Sequence, residues 1–270
     1  MSFGIWGDLP AITLASLFGV ALAAGCIDAI AGGGGLLCVP ALLWSGLTPA
    51  QTLATNKLQS AVGTFSATLH FFQAGTIDLA AMRWMVVTVL MGAVAGSVAV
   101  QSIDPGFLRT ALPWMLMGIA AYFLFKPNLG ELDRQQRLSP TLFTLTAAPL
   151  IGFYDGFFGP GAGSFYAIAL VDLLGFNLTR ATANTKLPNL TSNLSALLAF
   201  LAGGTVVWAA GLTMAAGQFI GAKLGSHLVL TKGARLVRPL LVVMSIALTI
   251  KLLAGDPDNW AHHLAHGLGF

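Results

Sequence analysis

One apolar stretch follows another along this chain, near residues 11–31, 36–46, 50–75, 79–101, 106–125, 140–158, 164–175, 180–203, 207–229 and 236–254. Most of them approach the roughly 20 residues that an α-helix needs to cross a bilayer. Only 9% of the 270 residues are charged and 56% are hydrophobic, with a mean hydropathy of +0.80. Soluble domains carry about 25% charged residues, so this chain lacks the polar surface to cover a water-facing exterior. The pattern predicts an all-α, polytopic integral membrane protein with lipid as its outer solvent. The opening MSFGIWGDLP has neither a positive n-region nor a small-residue cleavage site, so the first stretch is expected to stay as a membrane helix.

A second pattern divides the chain. At an offset of 127, Gly25, Asp28, Gly32 and Gly34 match Gly152, Asp155, Gly159 and Gly161. The second copy then gains two residues, and at an offset of 129 Ala54, Lys57, Ser66, Phe71, Gly75, Gly92, Gly96 and Arg109 match Ala183, Lys186, Ser195, Phe200, Gly204, Gly221, Gly225 and Arg238. Apolar matches mean little in so apolar a chain, but matched Asp, Lys and Arg mark a duplication. The expected organisation is a first transmembrane repeat over 1–125, a linker over 126–139, a second repeat over 140–254 and a tail over 255–270. Two stretches, 36–46 and 164–175, are too short to span, and each follows a glycine cluster. They read as the short arms of broken helices, crossing or re-entrant.

Lys126, Arg134 and Arg137 in the linker, with Lys232, Arg235 and Arg238 in a later loop, contrast with tails that hold Asp8, Asp256 and Asp258 and no Lys or Arg. Positive loops stay inside. The linker is therefore expected in the cytoplasm and both termini outside, which inverts the second repeat relative to the first. Paired, glycine-interrupted helices in inverted repeats point to a secondary transporter with its site near the midplane.

The candidate site residues are polar groups in this apolar setting. Lys57 and Lys186 lie about two turns inside long helical segments, where a charge costs roughly 3 kcal/mol and needs a cavity, partner or ligand. Helical spacing puts Ser60 and Thr64 on the face of Lys57, and Asn189 and Asn193 on that of Lys186. Two such stripes facing each other would enclose an anion-binding cavity. The alternative is structural, with Lys57 paired to Asp28 and Lys186 to Asp155. Those two aspartates are also candidates for ion or proton coupling. Gly33, Gly34, Gly35, Gly161 and Gly163 are expected to offer main-chain N–H groups to the solute.

Other residues read as structure. Cys26 and Cys38 are small buried hydrophobes, and the spaced glycines at 92, 96, 221 and 225 are helix-packing positions. His70 reads as a satisfied interior group. His262 and His266 are four apart but have no acidic companions, so no metal is expected. No basic tract implies nucleic acid. No nucleophile–base pair, paired carboxylate or phosphate loop implies an enzyme or a cofactor. The expected partners are lipid and a small anionic solute, and an anion channel is the competing reading; oligomeric state is left open.

The runs AGCIDAIAGGGGLLCVPALLWSGLTPAQTLATNKLQS (24–60), GFYDGFFGPGAGSFY (152–166) and ATANTKL (181–187) resemble the TauE/SafE (TSUP) family of membrane transporters, particularly its uncharacterised bacterial inner-membrane branch. The resemblance extends from about residue 11 to 254. It implies a bacterial plasma-membrane location and a small oxygen-rich anion, sulfite or an organosulfonate, as cargo.

Overall fold

The computed structural model describes residues 9–108, 110–112, 114, 115, 118 and 136–232. The stretch 236–254, the tail, His262, His266, Arg109, Arg238 and most of the linker lie outside the described residues. Within them the protein is all-α. The helices are α1 (Ala11–Ala31), α2 (Gly35–Trp44), α3 (Pro49–Gln73), α4 (Leu79–Gln101), α5 (Pro140–Leu145), α6 (Ala147–Phe157), α7 (Ala162–Leu174), α8 (Leu178–Ala202) and α9 (Trp208–Lys232).

Local chemistry accounts for these boundaries. Thr48 caps α3 in a capping box with Gln51, and Asn177 caps α8 by accepting from the Arg180 N–H at 2.9 Å. Gly32 ends α1 with φ at 80°, a left-handed conformation that glycine adopts without the strain a Cβ would bring. The stretch 140–158, expected as one helix, is two. Pro149 has no N–H to give the Leu145 carbonyl and its ring crowds that oxygen, so α5 stops at Leu145 and α6 begins two residues on.

Of the described helices, Ala11–Ala31 and Met82–Gln101 are both long and apolar enough to cross a membrane. Helices α3, α8 and α9, each 25 residues, are long enough at about 1.5 Å per residue but less apolar. The polar residues midway along α3 and α8 face inward. Thr52, Thr55, Asn56, Lys57 and Gln59 on α3 are buried, as are Lys186, Asn189, Ser192 and Asn193 on α8. Outward-facing positions are apolar instead: Trp84, Met91, Leu150 and Leu198 are each 64–69% exposed. Polar groups inside and large apolar groups outside is the arrangement that lipid stabilises and water does not.

The two repeats interlock. Helix α1 packs along α9, and its counterpart α6 packs along α4; α3 lies against α9, and α8 against α4. Even the close approaches recur with the halves exchanged. A methyl group at Gly221 would sit 2.0 Å from the Leu22 carbonyl oxygen, and one at the matching Gly92 would sit 2.2 Å from that of Pro149, the counterpart of Leu22. The small-residue spacing read as packing is packing. Cys38 is buried and Cys26 half-buried, both as free thiols.

Candidate functional site

At the centre of the bundle the two helix breaks meet. Helix α1 ends at Ala31 and α2 begins at Gly35; α6 ends at Phe157 and α7 begins at Ala162. The Ser164 N–H donates to the Gly32 carbonyl at 3.3 Å, and the Ser164 hydroxyl donates to that of Ala31. A methyl group on Gly163 would lie 2.7 Å from the Gly32 Cα. Only glycine permits this approach.

Beside this junction is a cavity of about 10 Å³, room for roughly one water. Asp28, Gly32, Gly35, Asn56, Ser60 and Thr64 line it from one repeat, and Asp155, Gly159, Gly161, Gly163, Asn189 and Asn193 from the other. Of the two polar stripes drawn by helical spacing, Ser60, Thr64, Asn189 and Asn193 line this one space together with both aspartates, and the two lysines do not. Gly33 and Gly34 stand outside the lining, and the Gly34 N–H donates to the Asp28 carboxylate at 3.0 Å. Asn56, Gly32 and Gly159 are additions. Asn56 escapes the sequence reading because the stripe was drawn through Lys57, its neighbour, which a helix turns about 100° away.

Both ammonium groups are buried behind the lining. Lys57 is at its back wall, for a methyl on Gly159 would lie 2.7 Å from the Lys57 Nζ. Their partners correct the structural alternative drawn from sequence. Lys57 does not pair with Asp28: its Nζ is 2.6 Å from the Asp155 carboxylate, and it also donates to the Asp155 main-chain oxygen and, at 3.3 Å, to the Asn193 side chain. Lys186 does not pair with Asp155; its ammonium donates to the main-chain oxygen of Asp28 at 2.6 Å. Each lysine reaches across to the other repeat because α3 and α8 lie against each other between the broken helices. The second Asp155 oxygen accepts from the Ser192 hydroxyl.

His70 departs from its expected satisfaction. Among the described residues its Nε2 is buried without a hydrogen-bond partner, and its ring meets His227 edge-on with centroids 6.1 Å apart.

A lipid-compatible exterior, two interlocked helical halves with matched sequence positions and a charged, glycine-framed centre together define a polytopic helical membrane protein of the solute-transporting class. The chain belongs to the TauE/SafE family, since residues 17–252 match the family described as Sulfite exporter TauE/SafE. It is 48% identical over 258 residues to the probable membrane transporter protein YfcA of Escherichia coli K12, covering 96% of this chain and 95% of that one. Over 255 residues it is 46% identical to a probable membrane transporter protein of Haemophilus influenzae, covering 94% and 99%. A probable membrane transporter protein of a Sinorhizobium species, ORF9, is 47% identical over 260 residues, covering 95% and 99%. No solved structure matches the chain. The protein is a membrane transporter, not an enzyme.

Proposed function

We propose that the protein is a secondary transporter of a small oxyanion, sulfite or an organosulfonate, which binds at the central cavity between two inverted repeats of a bacterial plasma membrane. One observation carries this reading: the N-terminal ends of two short helices, one from each repeat, open on the same cavity. Gly35 begins α2 and Gly161 caps α7, and both line the space. The N–H groups of Leu36, Leu37, Ala162 and Ser164 are held by the carbonyls of Gly33, Gly34, Gly159 and Gly32, and the partial positive charge at each helix start favours an anion.

The surrounding chemistry agrees. Asn56, Asn189 and Asn193 bring amide groups, and Ser60 and Thr64 hydroxyls. Asp155 has its charge balanced by Lys57, so the carboxylates do not leave the centre strongly negative. The cavity is smaller than a sulfite, in keeping with a closed resting centre that widens when solute enters. The family description supplies sulfite as the first candidate, and the positive loop charges support a cytoplasmic linker.

The test is flux in proteoliposomes of the purified full chain, with sulfite, sulfate, thiosulfate, sulfoacetate, taurine and simple carboxylates offered in turn. Saturable movement of sulfite or a sulfonate supports the proposal. Flux of none of these solutes, or of taurine alone among them, would reject an anion as cargo.

A further inference from the structure

The likeness between the repeats fails at one place. Asp78, Met85, Thr144, Phe176, Arg180 and Asn184 line a hollow of about 240 Å³. Their sequence counterparts are Val207, Met214, Leu17, Leu47, Gln51 and Thr55. On that side there is a packed apolar cluster instead: Leu17, Leu47, Val207 and Met214 are each 4% exposed or less. The Thr55 hydroxyl accepts from the Val207 N–H at 3.0 Å, drawing α3 and the start of α9 together. Polar residues have thus replaced apolar ones at two of the matched positions, Asp78 for Val207 and Thr144 for Leu17, and the space has stayed open.

The hollow opens on the linker side. Gln136 lines it, and the next two main-chain N–H groups, of Arg137 and Leu138, both donate to the Leu173 carbonyl at 2.9 Å. Arg180 is exposed, with its guanidinium 4.0 Å from the centre of the Phe176 ring. Stacking on a ring face keeps the planar group oriented while its N–H edge remains for oxygen acceptors in bidentate geometry. The remaining wall is largely apolar, formed by Met82, Met85, Leu170 and Leu174. A hollow with one guanidinium, a few amide and hydroxyl groups and an apolar body is the usual form of a small-ligand site. Asp78 in the same wall repels a second negative charge. A bare inorganic dianion would leave the apolar wall unused.

We propose that this hollow on the linker face binds a small monovalent organic acid, with its carboxylate or sulfonate head on Arg180 and its apolar body against Met82, Met85 and Leu170. The site is separate from the central cavity. Arg180 precedes Asn189 by nine residues on α8, about 14 Å along the helix axis. The inference goes beyond the transport reading and is read without any flux measurement.

Binding of pentanoate and pentane-1-sulfonate to the purified full chain in lipid nanodiscs, followed by calorimetry, tests it, with pentan-1-ol and inorganic sulfate as comparison probes. Either acid should saturate a single site more tightly than the alcohol or sulfate, and the difference between the two acids identifies the preferred head group. Arg180→Gln should weaken binding at least about tenfold, the scale of a lost charge-assisted hydrogen bond. Should that variant fail to fold, Thr144→Leu carries the test: it installs the leucine found at the matching position and should weaken both acids similarly. No binding by the wild-type chain, unchanged affinity in Arg180→Gln, or an alcohol or sulfate bound as tightly as the acids would overturn the proposal.

Discussion

Lys57 crosses from one half to place its ammonium 2.6 Å from the carboxylate of Asp155 in the other, whereas among the described residues its counterpart Lys186 donates to the main-chain oxygen of Asp28 and makes no salt bridge. The matched residues are thus used unequally. A buried ion pair broken from one side leaves an uncompensated charge, which costs about 3–5 kcal/mol. Lys57→Met should therefore lower unfolding stability by about that amount. Lys57→Met combined with Asp155→Asn should recover part of it, because no lone charge remains. Lys186→Met should cost less than Lys57→Met. Denaturant unfolding in detergent measures all three. Equal losses for the two lysine variants, or a strictly additive double variant, would contradict the ion-pair account.

In transport the two lysines should converge. Lys57→Ala and Lys186→Ala both remove positive charge from directly behind the cavity lining. Each is expected to reduce sulfite or sulfonate flux in proteoliposomes to background while the protein still purifies as a folded species. Normal transport by both variants would remove the lysines from the proposed site.

The reciprocal glycine contacts give a test of the repeat packing. At Gly221 and Gly92 an added methyl would meet a main-chain carbonyl oxygen of the opposite half at 2.0 and 2.2 Å, so a helix backbone and not a flexible side-chain tip would have to shift. Gly221→Ala and Gly92→Ala should each cost about 1–3 kcal/mol. Gly19 has nothing within 4 Å of an added methyl. Gly19→Ala should be neutral or raise stability by up to about 1 kcal/mol through helix propensity. Thermal unfolding of the three variants side by side decides the matter.

Much of this fold is readable from the chain. Helix α1 coincides with the first apolar stretch, and the Asp28 and Asp155 correspondence locates both helix breaks. The α5–α6 break was hidden because Pro149 sits in an apolar run whose hydropathy does not falter. The ion pairing was misread for a different reason. Lys57 and Asp28 are close along one repeat, and nothing local in the sequence says that α1 packs along α9 instead of within its own half. Asn56 shows the limit of a single helical stripe: a cavity between two helices is wider than one face, so its edge residues depend on the packing of both.

Topology is open to direct labelling. Gln73 and Ala202 are matched residues at the ends of α3 and α8, and both are exposed. If the repeats are inverted across the membrane, Gln73→Cys and Ala202→Cys react with an impermeant maleimide from opposite sides. Gln73, beside the turn that leads to Asp78, should label from the cytoplasmic side. Labelling of both from one side would leave the repeats parallel, and the midplane argument would fail with them.

Asp28 offers the sharpest separation between binding and coupling. Its carboxylate accepts the Gly34 N–H at 3.0 Å and lines the cavity. Asparagine keeps an oxygen for that N–H while removing the charge and the exchangeable proton. If Asp28 carries the coupling ion or proton, Asp28→Asn should still exchange labelled sulfite or sulfonate across the membrane when both sides hold the solute. Accumulation driven by a proton or sodium gradient should fall to background. If the charge serves only to hold the helix break, exchange and gradient-driven uptake should change together, since both depend on the same local shape. Measuring the two rates in one proteoliposome preparation therefore assigns the residue: a selective loss of accumulation makes it a coupling group, and a parallel change makes it a structural one.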